Sequence, residues 1–100
     1  MRYGYTAKFT AQPGTRDALA AILLEAARAL ERNPDCLQYL VSFTDEPEAI
    51  WVNELWTSEQ AHDASLTSEE AKAAIQRAMP LIASVSNRVK QQVVGGKGLS

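Results

Sequence analysis

Five side chains near the middle of this sequence could do chemistry: Tyr39, Asn53, Glu54, Trp56 and His62. The run IWVNELW, Ile50 to Trp56, carries both tryptophans of the chain. Alternate residues of a strand share a face, so Glu54 joins Ile50, Val52 and Trp56, while Asn53 joins Trp51 and Leu55. A carboxylate buried beside apolar groups has its pKa raised toward the range where it can act as a general base. His62 is the only histidine, and an imidazole can take or give a proton near neutral pH without special surroundings.

Other chemistries fit less well. A single cysteine, Cys36, and a single histidine distant from it give none of the ligand spacings of a zinc site. A Cys36–His62 dyad is conceivable, but nothing in the sequence activates either partner. The tail GGKG is a superficial match to a phosphate loop, which needs a strand before, a helix after and Ser or Thr following the lysine; Lys97 is followed by Gly98. Each candidate also has a structural role open to it. Glu54 could pair with Arg88 or Lys90, His62 could be solvated or capping, Trp56 and Tyr39 could be core, and Cys36 a small buried hydrophobe.

The elements that must hold these residues follow from periodicity. Residues 2–10 alternate as a strand, with Tyr3, Tyr5, Ala7 and Phe9 on one face. Gln12-Pro13-Gly14 ends it. Thr15 is the expected N-cap of a helix whose stripe is Leu19, Ile22, Leu23, Ala26 and Leu30, and Asn33-Pro34 stops that helix. Cys36 to Thr44 and Ile50 to Trp56 form a hairpin across Asp45-Glu46-Pro47. Thr57 with Gln60 and Thr67 with Glu70 fit capping boxes that open a short and a longer helix. The stripe of the second is Ala71, Ala74, Ile75, Ala78 and Met79, and Pro80 kinks or ends it. A last strand is expected over Arg88 to Val94. Residues 1–94 form one domain, and residues 95–100 are a Gly-rich tail.

Strand, helix, strand, strand, helical segment, strand fits an α+β fold: a four-stranded antiparallel sheet with helices on one face, the ferredoxin-like split-βαβ sandwich. The helices leave the other face bare. Whichever parity that is, it includes large apolar groups, and a second copy of the chain is the simplest cover. We therefore expect a homodimer.

Composition narrows the partners. With 100 residues, 46% of them apolar and 22% charged, the chain is an ordinary globular domain. A net charge of -2 with ten scattered basic residues argues against nucleic acid. No apolar run is long enough for a membrane helix, and the strand pattern starts at once, so neither a membrane span nor a signal peptide is expected. The lone thiol fits a reducing, cytoplasmic setting.

In order and spacing, Cys36 and Tyr39 on one strand, Glu54-Leu55-Trp56 ending the next, and Ser58 with Ala61 opening a helix resemble the antibiotic biosynthesis monooxygenase family, which includes quinol monooxygenases of the dimeric α+β barrel type. The resemblance spans the first strand to about Val94. It implies oxygen insertion into an electron-rich aromatic, a quinol or hydroxylated ring, with no metal, flavin or haem cofactor. A base must take the substrate proton; Glu54 and His62 are the candidates. Tyr39 and Asn53 could hydrogen-bond the substrate oxygen, and Trp56 would offer a flat apolar wall. Many members have a histidine where this chain has Ser65. Haem-degrading relatives use a tryptophan near Ser65 and a histidine near Ile75; neither is present, which disfavours haem. A non-catalytic module binding a small apolar ligand is the alternative.

Overall fold

The computed structural model describes residues 1–99. Strand β1 (Arg2–Ala11) leads to helix α1 (Arg16–Leu30), the hairpin β2 (Cys36–Phe43) and β3 (Ala49–Trp56), helices α2 (Glu59–Ser65) and α3 (Glu69–Ala78), and strand β4 (Ile82–Val93). The sheet order is β2-β3-β1-β4, with every neighbouring pair antiparallel. This is the expected ferredoxin-like α+β arrangement, with β1 and β3 in the centre. No helix among the described residues is long and apolar enough to cross a membrane.

Alternation along β1 and β3 decides which face the helices cover. Ala7, Ala11, Ile50, Val52 and Trp56 are buried, and Leu19, Ile22 and Leu23 of α1 pack with this face. Register pairs Tyr3 with Trp56, Tyr5 with Glu54 and Ala7 with Val52. The helix-covered face thus carries Glu54 and Trp56. Trp51, Asn53 and Leu55 point to the open face. There Trp51 and Leu55 are half-buried, while Leu40 and Val89 are 53% and 47% exposed.

Several expectations shift by a residue or more. Thr15 precedes α1 but makes no side-chain cap; its hydroxyl donates instead to the carbonyls of Gln12 and Leu81 at 2.8 and 3.2 Å. The caps of α2 and α3 are Ser58 and Ser68, each accepting at 3.1 Å from the amide three residues on, Ala61 and Ala71. Thr57 and Thr67, the expected caps, are engaged elsewhere: Thr57 donates to Asp35 Oδ1 and Thr67 to the carbonyl of Ala64. In α3 only Ala78 is fully buried, whereas Ile75 and Met79 are exposed. Pro80 does end that helix, through a 3-10 turn over Met79–Leu81.

β4 starts at Ile82, earlier than the expected Arg88. Its first half, ASVSN, is polar on exposed positions and reads as a loop, and the register with β1 slips between Thr6 and Lys8. Asn87, at φ 52, supplies the left-handed residue in that bulge.

Candidate active site

Glu54, Trp56 and His62 converge under α2. The end of β3 brings Glu54 and Trp56 onto the covered face, two residues apart. The Ser58 cap starts α2 so that its first turn lays His62 over them. The Trp56 Nε1–H donates to Glu54 Oε1 at 2.9 Å. His62 Nε2 lies 3.7 Å from the same Oε1, and the two side chains are each 11% exposed. Trp56 itself is fully buried. Tyr3 and Tyr5 flank the imidazole at ring separations of 5.3 and 5.4 Å, and Trp56 meets it edge-on at 5.6 Å.

Burial is the main influence on the titrating groups here. It raises the pKa of Glu54, against the opposing pull of the Trp56 hydrogen bond and of His62. The raised carboxyl pKa expected from burial beside apolar groups therefore has its physical cause on this face. Tyr39, across the ladder from Glu54, is raised well above its ordinary value by burial and then by Glu54 and Cys36. Cys36 is pushed up to about 11 by burial and Glu54, although its Sγ sits 3.7 Å from the Gln38 carbonyl, which pulls the other way. A thiol so raised stays protonated near neutral pH and is a poor nucleophile.

Four of the five candidate residues share this face: Tyr39, Glu54, Trp56 and His62. Asn53 does not. It is exposed on the open face of the sheet, where its Oδ1 accepts from the Thr6 hydroxyl at 2.9 Å. The pairing of Glu54 with a basic strand residue is not formed either. Its ionic neighbour is His62, and Lys90 pairs with Glu59 of α2 at 2.6 Å.

Sequence reasoning missed Tyr3 and Tyr5 as neighbours of His62. Their shared face was legible from alternation, but not that β1 would pair with β3 in a register setting Tyr3 against Trp56 and Tyr5 against Glu54. Asp63 was also not singled out, though its Oδ1 lies 2.9 Å from His62 Nδ1.

A cleft of about 900 Å³ opens between α1, α2 and α3. Its walls are largely alanine, including Ala26, Ala29, Ala61 and Ala74, with Leu30 and Leu66. Two ion pairs join α1 and the residues after it to α3 here: Glu25–Arg77 at 2.7 Å and Arg32–Glu70 at 3.6 Å. Glu54, Trp56 and His62 are not among the lining residues. Asp35 and Ala61 are, and these adjoin Cys36 and His62 in the chain. The lining thus includes chain neighbours of Cys36 and His62 but not the side chains of Glu54, Trp56 and His62 themselves. The size of the cleft suits a small organic ring system.

A family model described as antibiotic biosynthesis monooxygenase matches residues 2–77. Among solved structures, one of that description from Chloroflexus aurantiacus J-10-fl is 40% identical over 100% of both chains, with a TM-score of 0.90. Another, from Caulobacter crescentus CB15, is 24% identical over 94% of this chain and 91% of its own, with a TM-score of 0.85. A Mycobacterium tuberculosis protein is 17% identical and superposes with a TM-score of 0.84 over 97% and 99% of the two chains; these last two support the fold alone. No curated protein matches the sequence.

Proposed function

The chain belongs to the antibiotic biosynthesis monooxygenase family, and from that premise we propose that it is a cofactor-independent monooxygenase oxidising a quinol or similar hydroxylated aromatic with molecular oxygen. The observation that carries this reading is the buried carboxyl of Glu54, raised in pKa and held 3.7 Å from His62. A base in an apolar enclosure is what the first step needs.

Glu54 takes the hydroxyl proton of the quinol. The resulting anion gives one electron to oxygen, and the radical pair closes a carbon–oxygen bond at the adjacent ring carbon. That carbon then loses its hydrogen as a proton while the O–O bond breaks, leaving a hydroxyquinone and water. The substrate gives up four electrons and oxygen accepts four, so no outside reductant is required. Tyr39 would meet the substrate oxygen, and Trp56 would form the wall behind the ring. Because Trp56 is fully buried, a ring arriving from the cleft reaches it only when α2 shifts. That helix has just seven residues.

The test is oxygen uptake by metal-stripped protein with a reduced naphthoquinol. Uptake that saturates with substrate and exceeds the protein-free control is expected; uptake equal to that control overturns the reading. The second reading, a binding module for a small apolar ligand, is favoured by one observation: the cleft is not lined by Glu54 or Trp56. It requires ligand binding without oxygen uptake.

The reading includes a homodimer, a small aromatic ligand and a cytoplasmic setting. Trp51, Leu55, Leu40 and Val89 give the open sheet face an apolar patch of the kind that a second copy covers. Sedimentation at micromolar concentration should give twice the chain mass, and Trp51→Glu should give the chain mass alone. A parent protein sedimenting as a monomer would sink the dimer.

A further inference from the structure

His62 and Asp63 are consecutive on α2, with Nδ1 2.9 Å from Asp63 Oδ1. An ionised carboxylate only accepts hydrogen bonds, so Nδ1 must carry the proton of this contact. The neutral ring then has a bare Nε2, and that nitrogen faces Glu54 Oε1 across 3.7 Å. This is longer than a hydrogen bond. A proton arriving between the two would draw them to about 2.7–2.9 Å, the length of a charge-assisted bond. Tyr3, Tyr5 and Trp56 hold the ring from three directions. Asp63 is 64% exposed, whereas His62 and Glu54 are nearly enclosed.

We propose that Asp63 is a positioning residue for the reaction above: it fixes His62 as the Nδ1–H tautomer, so that Nε2 stores the proton that Glu54 removes from the substrate. The inference rests on the monooxygenase reading and deepens it. The overall reaction neither takes up nor releases a proton. The one that leaves the hydroxyl waits on His62 as an imidazolium between two carboxylates. It returns through Glu54 to the peroxide oxygen that departs as water. The resting tautomer is regenerated with no ring flip and no proton from bulk water.

The other titrating groups around this chain of contacts are consistent with the assignment. Tyr39 and Cys36 of β2 face Glu54, and both are raised in pKa and so neutral. Tyr3, from β1, is raised as well. Lys90 of β4 is committed to Glu59. His62 thus lies between the carboxylates of Glu54 and Asp63.

His62 is the only histidine, so histidine labelled with heavy nitrogen reports one ring by long-range nitrogen–proton NMR. The neutral ring should carry its proton on Nδ1 in the parent and mainly on Nε2 in Asp63→Ala. Asp63→Asn, whose amide oxygen still accepts, should restore Nδ1–H. With naphthoquinol, Asp63→Ala should lower kcat about tenfold with KM unchanged. A parent ring protonated on Nε2, or a tautomer indifferent to Asp63→Ala, overturns the role of Asp63. The NMR arm needs no substrate. An inactive parent with the expected tautomers therefore overturns the monooxygenase reading and not the placement of the proton.

Discussion

Glu54→Gln protein should keep its fold and lose about two orders of magnitude of turnover with a naphthoquinol, the usual size of a general-base contribution. The substitution is nearly isosteric. The amide oxygen can still accept from Trp56 Nε1, now 2.9 Å from Glu54 Oε1, so the tryptophan is not left with an unmet donor. The amide cannot take a proton, and that is the function under test. Stability gives an internal control with a definite sign. The Glu54 pKa is raised in the folded chain, so the folded state binds this proton more tightly than the unfolded state. Stability therefore falls as pH rises from the unfolded carboxyl pKa through the raised folded one. Glutamine removes that slope. Denaturation midpoints of the variant should equal or exceed those of the parent on the alkaline side of the transition. Full turnover in Glu54→Gln would show that another group, or none, is the base.

The largest loss of stability is expected from Trp56→Ala. Trp56 has no exposed surface, and it is the largest of the fully buried side chains. Truncating a buried tryptophan costs about 3–5 kcal/mol through lost transfer energy and the cavity left behind. Here the cost has a second part, because Glu54 loses the donor that satisfies its buried oxygen. Against a domain stability of about 5–15 kcal/mol, this brings the protein close to unfolding at physiological temperature. For a domain of this size each kcal/mol corresponds to roughly 4–8 °C in Tm. Trp56→Phe keeps most of the volume but not the N–H, so it should fall between parent and alanine variant. The measurement is the denaturant midpoint of all three at equal protein concentration, since a dimer makes the midpoint concentration-dependent. A Trp56→Ala midpoint within experimental error of the parent would mean that the indole carries no packing load.

Periodicity and turn chemistry made the element order and the sheet legible. Tyr3 to Phe9 alternate strongly, Ile50 to Trp56 is a short run with large apolar residues on both faces, and Leu19, Ile22 and Leu23 mark one helical stripe; all lie where expected. Boundaries were legible only where one signal stood alone. At Thr57-Ser58 and Thr67-Ser68 two adjacent hydroxyl residues could each cap, and contacts to Asp35 and Ala64 decided between them. The first half of β4 was hidden because an edge strand with Ser84, Ser86 and Asn87 exposed has no apolar alternation to display. For the site, strand parity separated Glu54 and Trp56 from Asn53. Which parity faces the helices was not legible, because both faces of β3 carry a tryptophan. The contacts of His62 depend on non-local pairing of β1 with β3, which leaves no local trace in the sequence.

That pairing also bears on how the chain comes together during synthesis. β1 is made before either of its partners, β3 and β4, yet it lies in the interior of the sheet between them. The Arg2–Val93 pair joins positions at opposite ends of the sequence. Only the β2–β3 hairpin can form from neighbouring residues. Until residue 93 has been made, one side of β1 has its backbone groups unmatched and Tyr3 has no strand beyond it. Closing the sheet is therefore a late event by the order of the chain, and a topology so rich in distant contacts folds slowly for its size. The nascent chain has to shelter a central strand that cannot yet be central.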